Sequence, residues 1–251
     1  LIDSIARLDQ LERPKLAILS GHPAISETAS TPSAVQLALE SAYQIEWIKP
    51  DQVGYPLESD AVLIVQPEAL TPWARYLVQQ AVLETERAIV LIDPSPLFGG
   101  ERLDEDTREW LEGLFGMSLS STALTDSENA LQVSVPGPDG PRAENQPLFI
   151  ALTPANQSTP DLAVRSLTQP VQFGAPGWIE PRDSLTATPV LKSSASSATL
   201  SNERLATAVT PADVRRASEP LGEGKALALR VSGVTRSTTD RTAPSLPDAP
   251  V

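Results

Sequence analysis

Six side chains of this 251-residue sequence stand where a parallel sheet does its chemistry: Ser20, His22, Gln66, Glu68, Asp93 and Ser95. Each follows an apolar run. Lys15-Leu16-Ala17-Ile18-Leu19 leads to Ser20-Gly21-His22, Ala61 to Val65 leads to Gln66-Pro67-Glu68, and Ala88 to Ile92 leads to Asp93-Pro94-Ser95. If the three runs are parallel strands, ligands bind just outside their carboxyl ends, near the point where strand order reverses. An imidazole, two carboxylates, an amide and two hydroxyls gathered there would line a polar crevice for a small ligand. His22 is the sole histidine. It reads either as a general base or ligand or as an ordinary loop histidine, and the lack of a visible partner favours the second. Asp93 precedes a proline and is read first as a turn carboxylate bonding its own backbone, and second as a ligand for a metal or hydroxyl groups. Glu68 reads as a solvated loop carboxylate.

Several reaction classes find no residues to carry them. Gly99-Gly100 has neither the G-x-G-x-x-G nor the G-x-x-x-x-G-K spacing that cradles phosphates. Ser95 is not set in a G-x-S-x-G elbow. The chain has no cysteine, which removes disulfides, thiolate metal sites and thiol nucleophiles and leaves the redox compartment open. A hydrolase or metal-dependent reading would need His22 within hydrogen-bond reach of Asp93 or Glu68. We therefore expect no catalytic residues, no metal site and no cofactor, and a protein that is not an enzyme.

The elements that position these residues centre on Ser59 to Pro96, SDAVLIVQPEALTPWARYLVQQAVLETERAIVLIDPSP. A short apolar run, a helix signal at Leu70-Thr71-Pro72 and a second apolar run make a strand, a helix and a strand. Both runs are rich in β-branched residues and do not alternate, which suits parallel neighbours covered on both faces and joined by a right-handed crossover. Upstream, Ile2, Ile5, Leu8 and Leu11 recur every three residues and predict a helix ending at Arg13-Pro14. After the first strand, Thr31-Pro32 predicts a helix start, continued by Val35, Leu37, Leu39 and Ala42 to about Tyr43. Ile45 to Ile48 is the next strand, and Leu103 to Phe115 a further helix stopped at Gly116. The Trp73-Arg75-Tyr76 cluster and Trp110 lie on predicted helices and are read as packing residues. The alternation gives an α/β fold with a doubly wound, mainly parallel, Rossmann-like sheet over residues 1–118.

From Leu119 the texture changes. Leu131 to Val135 alternates like a half-exposed strand, Pro136 to Pro141 is a turn, and Leu148 to Leu152, Val171 to Phe173, Thr188 to Lys192 and Lys225 to Val231 are strand candidates. Thr159-Pro160-Asp161 opens a short helix through Leu167. Ser193 to Ser197 reads as a small-polar loop too poor in apolar groups to be core. Residues 119–232 thus form a β-rich α+β region, and 233–251 a mobile tail or loop.

Nineteen basic against thirty-two acidic residues give a formal charge of −13, which repels nucleic acid and anionic headgroups and excludes a nucleic-acid partner. Twenty-four prolines are about twice the usual share, so much of the chain is loop and edge. No run approaches the ~18 apolar residues of a membrane span. Because the sequence opens at Leu1, we read it as a segment of a longer protein whose membrane attachment lies outside these residues.

The segment DAVLIVQPEALTPWARYLVQQAVLETERAIVLIDPSP resembles the central motif of the auxiliary component of gliding-motility-type ABC transporters. The resemblance continues through Phe115-Gly116-Met117, through Thr188-Pro189-Val190-Leu191-Lys192-Ser193-Ser194 and through Ala226 to Ser237, ALALRVSGVTRS. One departure is visible: the family has a glycine pair before the second strand of the central unit, where this chain has Glu86-Arg87. The resemblance implies a non-enzymatic extracytoplasmic subunit on the periplasmic face of the inner membrane, with permease and ATPase subunits as partners. It also implies kinship of the α/β half with class I glutamine amidotransferase-like folds, whose thiol nucleophile this chain lacks. A sensor module binding a small molecule or glycan in a degenerate amidotransferase-like crevice is the alternative.

Overall fold

The computed structural model describes residues 13–49, 58–93, 102–137, 140–153, 164, 167, 169–182, 186–208 and 210–232. The predicted N-terminal helix, the Pro94 to Gly100 loop with Ser95, most of the helix at Thr159 and the tail after Gly233 lie outside them. The chain divides into two compact units. Unit 1 comprises 1–92, 99–110 and 236–251, and unit 2 comprises 93–98 and 111–235.

Among the described residues unit 1 holds four parallel strands, β1 (Lys15–Ser20), β2 (Gln44–Trp47), β3 (Ala61–Val65) and β4 (Ala88–Leu91), in the order β2-β1-β3-β4. Strand order reverses between β1 and β3. Helix α1 (Ala34–Ala42) joins β1 to β2, and α2 (Pro72–Thr85) joins β3 to β4. Alternation along the strands sends Leu16, Ile18, Leu63 and Val65 to one face, where Leu39 and Tyr43 from the α1 region pack on them. The opposite set, Ala17, Leu19, Val62 and Ile64, is equally buried, and α2 packs on β3 through a helix face that buries Ala74, Leu77, Val78 and Ala81.

Local chemistry sets the helix ends. Thr71 caps α2 by accepting from Ala74 N at 3.1 Å, with Pro72 in the first turn, where its missing N–H costs nothing. The cap of α1 is Ser33 and not Thr31: its Oγ accepts from Gln36 N at 3.2 Å while it donates to Ala24 O. The inward residue of α1 is Gln36, which accepts from Ser26 N at 3.1 Å and donates to Glu40 Oε1 at 2.9 Å, whereas Val35 and Leu37 face solvent. The expectation of two covered faces holds for β3 and fails for β4. Ile89 is 59% and Leu91 50% exposed, because β4 ends the sheet among the described residues and the cluster under α1 stops at Leu63 and Val65.

Helix α3 (Glu105–Phe115) carries the chain from unit 1 into unit 2 at Trp110–Leu111. It ends as expected, with Gly116 at a φ of 62°. Among the described residues unit 2 contains three antiparallel sheets. The first orders β11 (Thr186–Lys192), β14 (Ala226–Ser232), β10 (Ile179–Pro181) and β5 (Met117–Leu119). The second orders β13 (Glu219–Pro220), β12 (Ser197–Leu200) and β6 (Ala123–Asp126). The third orders β7 (Ala130–Val135), β8 (Arg142–Leu152) and β9 (Val171–Gly174). Leu124, Ile150, Leu152, Val190, Leu191 and Leu227 form one core cluster. A second gathers Ala123, Leu148, Leu200 and Val214, the last from α5 (Pro211–Ala217); α4 (Asn202–Leu205) packs Leu205 on it.

The serine run is the main correction in this unit. Ser193 and Ser197 are 6% and 2% exposed and lie in a bonded turn, with Ser197 Oγ 2.7 Å from both Ser193 Oγ and Ser194 O. Serine is small enough to bury once its hydroxyl is satisfied, a condition that hydropathy does not register.

Candidate functional site

The crevice at the strand tips of unit 1 is built by two loops. The loop after β1 leaves along the sheet, with Gly21 N donating to Val65 O at 3.1 Å, and the loop after β3 is held by Gln66 N donating to Leu91 O at 2.9 Å. The two loops touch at Gly21, where a β-carbon would lie 2.5 Å from Gln66 O and 2.8 Å from Glu68 N. Only glycine admits this approach. Ser20, His22, Gln66 and Glu68 are thereby brought to one end of the sheet. Asp93, two residues past β4, is grouped with unit 2. Ser95 lies outside the described residues.

Gln66 is the strained member. It is buried and has a φ of 39°, a left-handed conformation that a side chain disfavours. Strain of this kind persists only where surrounding bonds over-determine it. Here the strand end and the Gly21 contact do so.

His22 is tied into its own turn. Its Nδ1 accepts from Ala24 N at 3.1 Å, its N–H donates to Ser20 Oγ at 3.1 Å, and its carbonyl accepts from Ile25 N at 3.0 Å. The Nδ1 contact fixes the tautomer with the proton on Nε2, so the ring presents one donor outward. Among the described residues no carboxylate bonds to it, and no group of three or more histidines, aspartates or glutamates is placed to hold a metal ion. Glu68 is exposed. The arrangement offers a hydroxyl, an imidazole N–H and a carboxylate to a polar ligand.

The aromatic residues of α2 pack on each other, Trp73 and Tyr76 stacking with ring centroids 5.6 Å apart, and Trp110 is buried. Behind the helix, Thr107 Oγ1 accepts from Leu70 N at 3.2 Å and Asp104 Oδ1 accepts from Thr107 N at 3.0 Å. Burial would raise the Asp104 carboxyl, but the Thr107 bonds and the Arg75 guanidinium hold it below the usual carboxylate range. These contacts fasten the loop that leads into α2.

A family model described as ABC-type uncharacterized transport system, an auxiliary family, matches residues 13–249, nearly the whole chain. The chain belongs to this family. Membership associates it with an ABC transport system as an auxiliary component. No curated protein and no solved structure matches it. Glu86 caps α2 at a φ of 54° and ψ of 14°, the left-handed geometry a glycine would supply. The turn keeps a glycine-like shape without the glycine. Among the described residues no helix is long and apolar enough to cross a membrane.

Proposed function

We propose that this protein is a non-enzymatic, extracytoplasmic subunit of its ABC transport system, standing at the periplasmic face of the inner membrane and binding the permease and ATPase assembly. The observation that carries the reading is the match of the auxiliary transport family over residues 13–249. The uncovered apolar residues of β4, Ile89 and Leu91, supply a surface suited to a protein partner. The test is affinity capture of the full-length protein from detergent-solubilised membranes. Permease and ATPase should co-purify with the native protein and be lost with the double substitution Ile89→Asp, Leu91→Asp. Recovery of the native protein alone, or equal capture by the double variant, would overturn the reading or its surface.

The second reading is a sensor for a small molecule or glycan in an amidotransferase-like crevice without its nucleophile. The strained Gln66 beside Gly21 favours it. A thermal-shift panel of sugars, peptidoglycan fragments, amino acids and divalent metals checks it, since a ligand at a hundredfold its Kd stabilises by about 2.7 kcal/mol. The shift should vanish in His22→Ala. A silent panel eliminates this reading and leaves the first untouched.

A further inference from the structure

An open depression of about 320 Å³ lies on unit 2, lined by Thr125, Ser127, Ser196, Ser197, Ser218 and Arg215, with Pro147, Ala198 and Pro220 completing its wall; Ser127, Ser196 and Arg215 are exposed at its mouth. Its size reaches the lower end of small-molecule sites, roughly 300–1,000 Å³. The lining is uneven in chemistry. Five residues carry hydroxyls, one carries a positive charge, and none of the described lining residues is a carboxylate. Asp126, next to Thr125 in sequence, is consumed elsewhere, by Glu128 N, Asn129 and Ser194.

We propose that this depression binds a small anionic polyol, a sugar acid or sugar phosphate, with its carboxylate or phosphate on Arg215 and its hydroxyls on Ser127 and Ser196. Arg215 Nη1 donates to Asn145 O at 3.0 Å, which fixes the guanidinium at the rim. Its Nη2 makes a long ion pair with Glu144 Oε2 at 4.0 Å, while Glu144 Oε1 pairs with Arg142 at 2.5 Å. At 4.0 Å the Glu144 contact is longer than a hydrogen bond, so donors of the fork remain for an oxyanion, the geometry that fork suits best.

The hydroxyls divide into two sets. Ser218 Oγ donates to Val214 O at 2.7 Å, Thr125 Oγ1 lies 3.2 Å from Ala198 O, and Ser197 Oγ is held by Ser193 and Ser194. These three stiffen the wall. Ser127 and Ser196 are neighbours, with Ser127 N donating to Ser196 O at 3.5 Å, and their hydroxyls bond to no other group among the described residues. They are donors and acceptors at need, which is what a polyol requires. Pro220, exposed, offers apolar surface to the C–H face of a sugar ring, with the buried Pro147 beneath. Every described lining residue belongs to unit 2.

Isothermal titration of the full chain with glucuronate, glucose 6-phosphate, glucose and potassium phosphate tests the proposal. Glucuronate or glucose 6-phosphate should bind, and the better of the two assigns carboxylate or phosphate. Glucose should bind at least about tenfold more weakly, the worth of a charge-assisted hydrogen bond. Arg215→Gln should weaken the anionic probe by a similar factor, Arg215→Lys less, and Ser196→Ala a few-fold, with Tm unchanged because both positions are at the surface. His22→Ala should leave binding intact, which separates this site from the crevice. Absence of heat with all four probes at millimolar concentration, equal affinity for glucose, or undiminished binding in Arg215→Gln would overturn the proposal. Inorganic phosphate binding as tightly as glucose 6-phosphate would overturn the polyol assignment.

Discussion

Ser194 grips Asp126 with two bonds, its backbone N–H donating to Oδ2 at 2.7 Å and its Oγ–H to Oδ1 at 2.6 Å. The same carboxylate accepts from Glu128 N at 3.0 Å, Asn129 N at 3.2 Å and Asn129 Nδ2 at 2.8 Å. Asp126 is fully buried at the end of β6, so the pair ties the serine turn before β12 to the bend before β7. Asp126→Ala leaves these donors unmet and should destabilise unit 2 by about 2–4 kcal/mol, read from denaturant unfolding; Ser194→Ala removes one bond and should cost about 1–2 kcal/mol.

The same residue sets a pH response. Burial pushes the Asp126 carboxyl up, but the Ser194 and Asn129 bonds outweigh it and hold the group below the usual carboxylate range. A depressed folded value means that the stabilisation is present above the unfolded pKa of about 3.9 and is lost as pH falls through the folded value. Unfolding followed between pH 6 and pH 2 should show a loss of stability below about pH 4, and the Asp126→Asn variant, already destabilised, should lose less over the same window.

Glu112 and Arg182 make a second internal anchor. Glu112 is 4% exposed, accepts from Leu119 N at 2.9 Å and is ion-paired with Arg182, whose Nε also donates to Ser118 Oγ at 2.6 Å. Arg182→Met should cost about 1–3 kcal/mol by leaving the buried Glu112 carboxylate without its half-exposed partner. Replacing both, Glu112→Met with Arg182→Met, should recover much of that loss, a reversal that thermal unfolding of the two variants would reveal.

At Gly21 the prediction is steric. Gly21→Ala places a β-carbon on Gln66 O and Glu68, and the backbone must yield. A loss of about 1–3 kcal/mol is expected, together with chemical-shift changes at Gln66 and Glu68. Unchanged stability would show that the two loops do not meet as described.

Glu86 offers a gain. Its left-handed cap conformation suits glycine better than a side chain, so Glu86→Gly should raise stability by about 0.5–1 kcal/mol at this exposed position. Differential scanning calorimetry is sensitive enough to register it.

Much of unit 1 was readable because its signals are local: Ala61 to Val65 is an uninterrupted apolar run, and Thr71-Pro72 is a cap before a proline. Exposure of Ile89 and Leu91 was not readable, since hydropathy records that a strand is apolar but not which neighbours stop short of it. The register of α1 misled for the opposite reason: Gln36 is buried by two hydrogen bonds, while Val35 and Leu37 are not covered. In unit 2, Leu131 to Val135 and Ala226 to Ser232 alternate visibly. Strands β5, β10, β12 and β13 span only two to four residues and leave almost no pattern. The first half of β8, Arg142 to Gln146, is mostly polar and gives no strand signal, so only Leu148 to Leu152 is expected as strand. Contact between the Gly21 and Gln66 loops follows from the strand-tip rule, whereas the Arg215 depression gathers residues from Thr125 to Pro220, and no spacing announces it.

Strand β4 carries one more implication. Ala88 to Ile92 is a run of five apolar residues, four of them in an edge strand whose Ile89 and Leu91 are open to solvent. Such an edge is a template for strand addition between molecules. Glu86 and Arg87 before it and Asp93 after it place charges at both ends of the run, the arrangement that gatekeeping residues use to keep like strands apart. Among the described residues the charges at the two ends of β4 oppose the in-register pairing that its exposed Ile89 and Leu91 would otherwise favour.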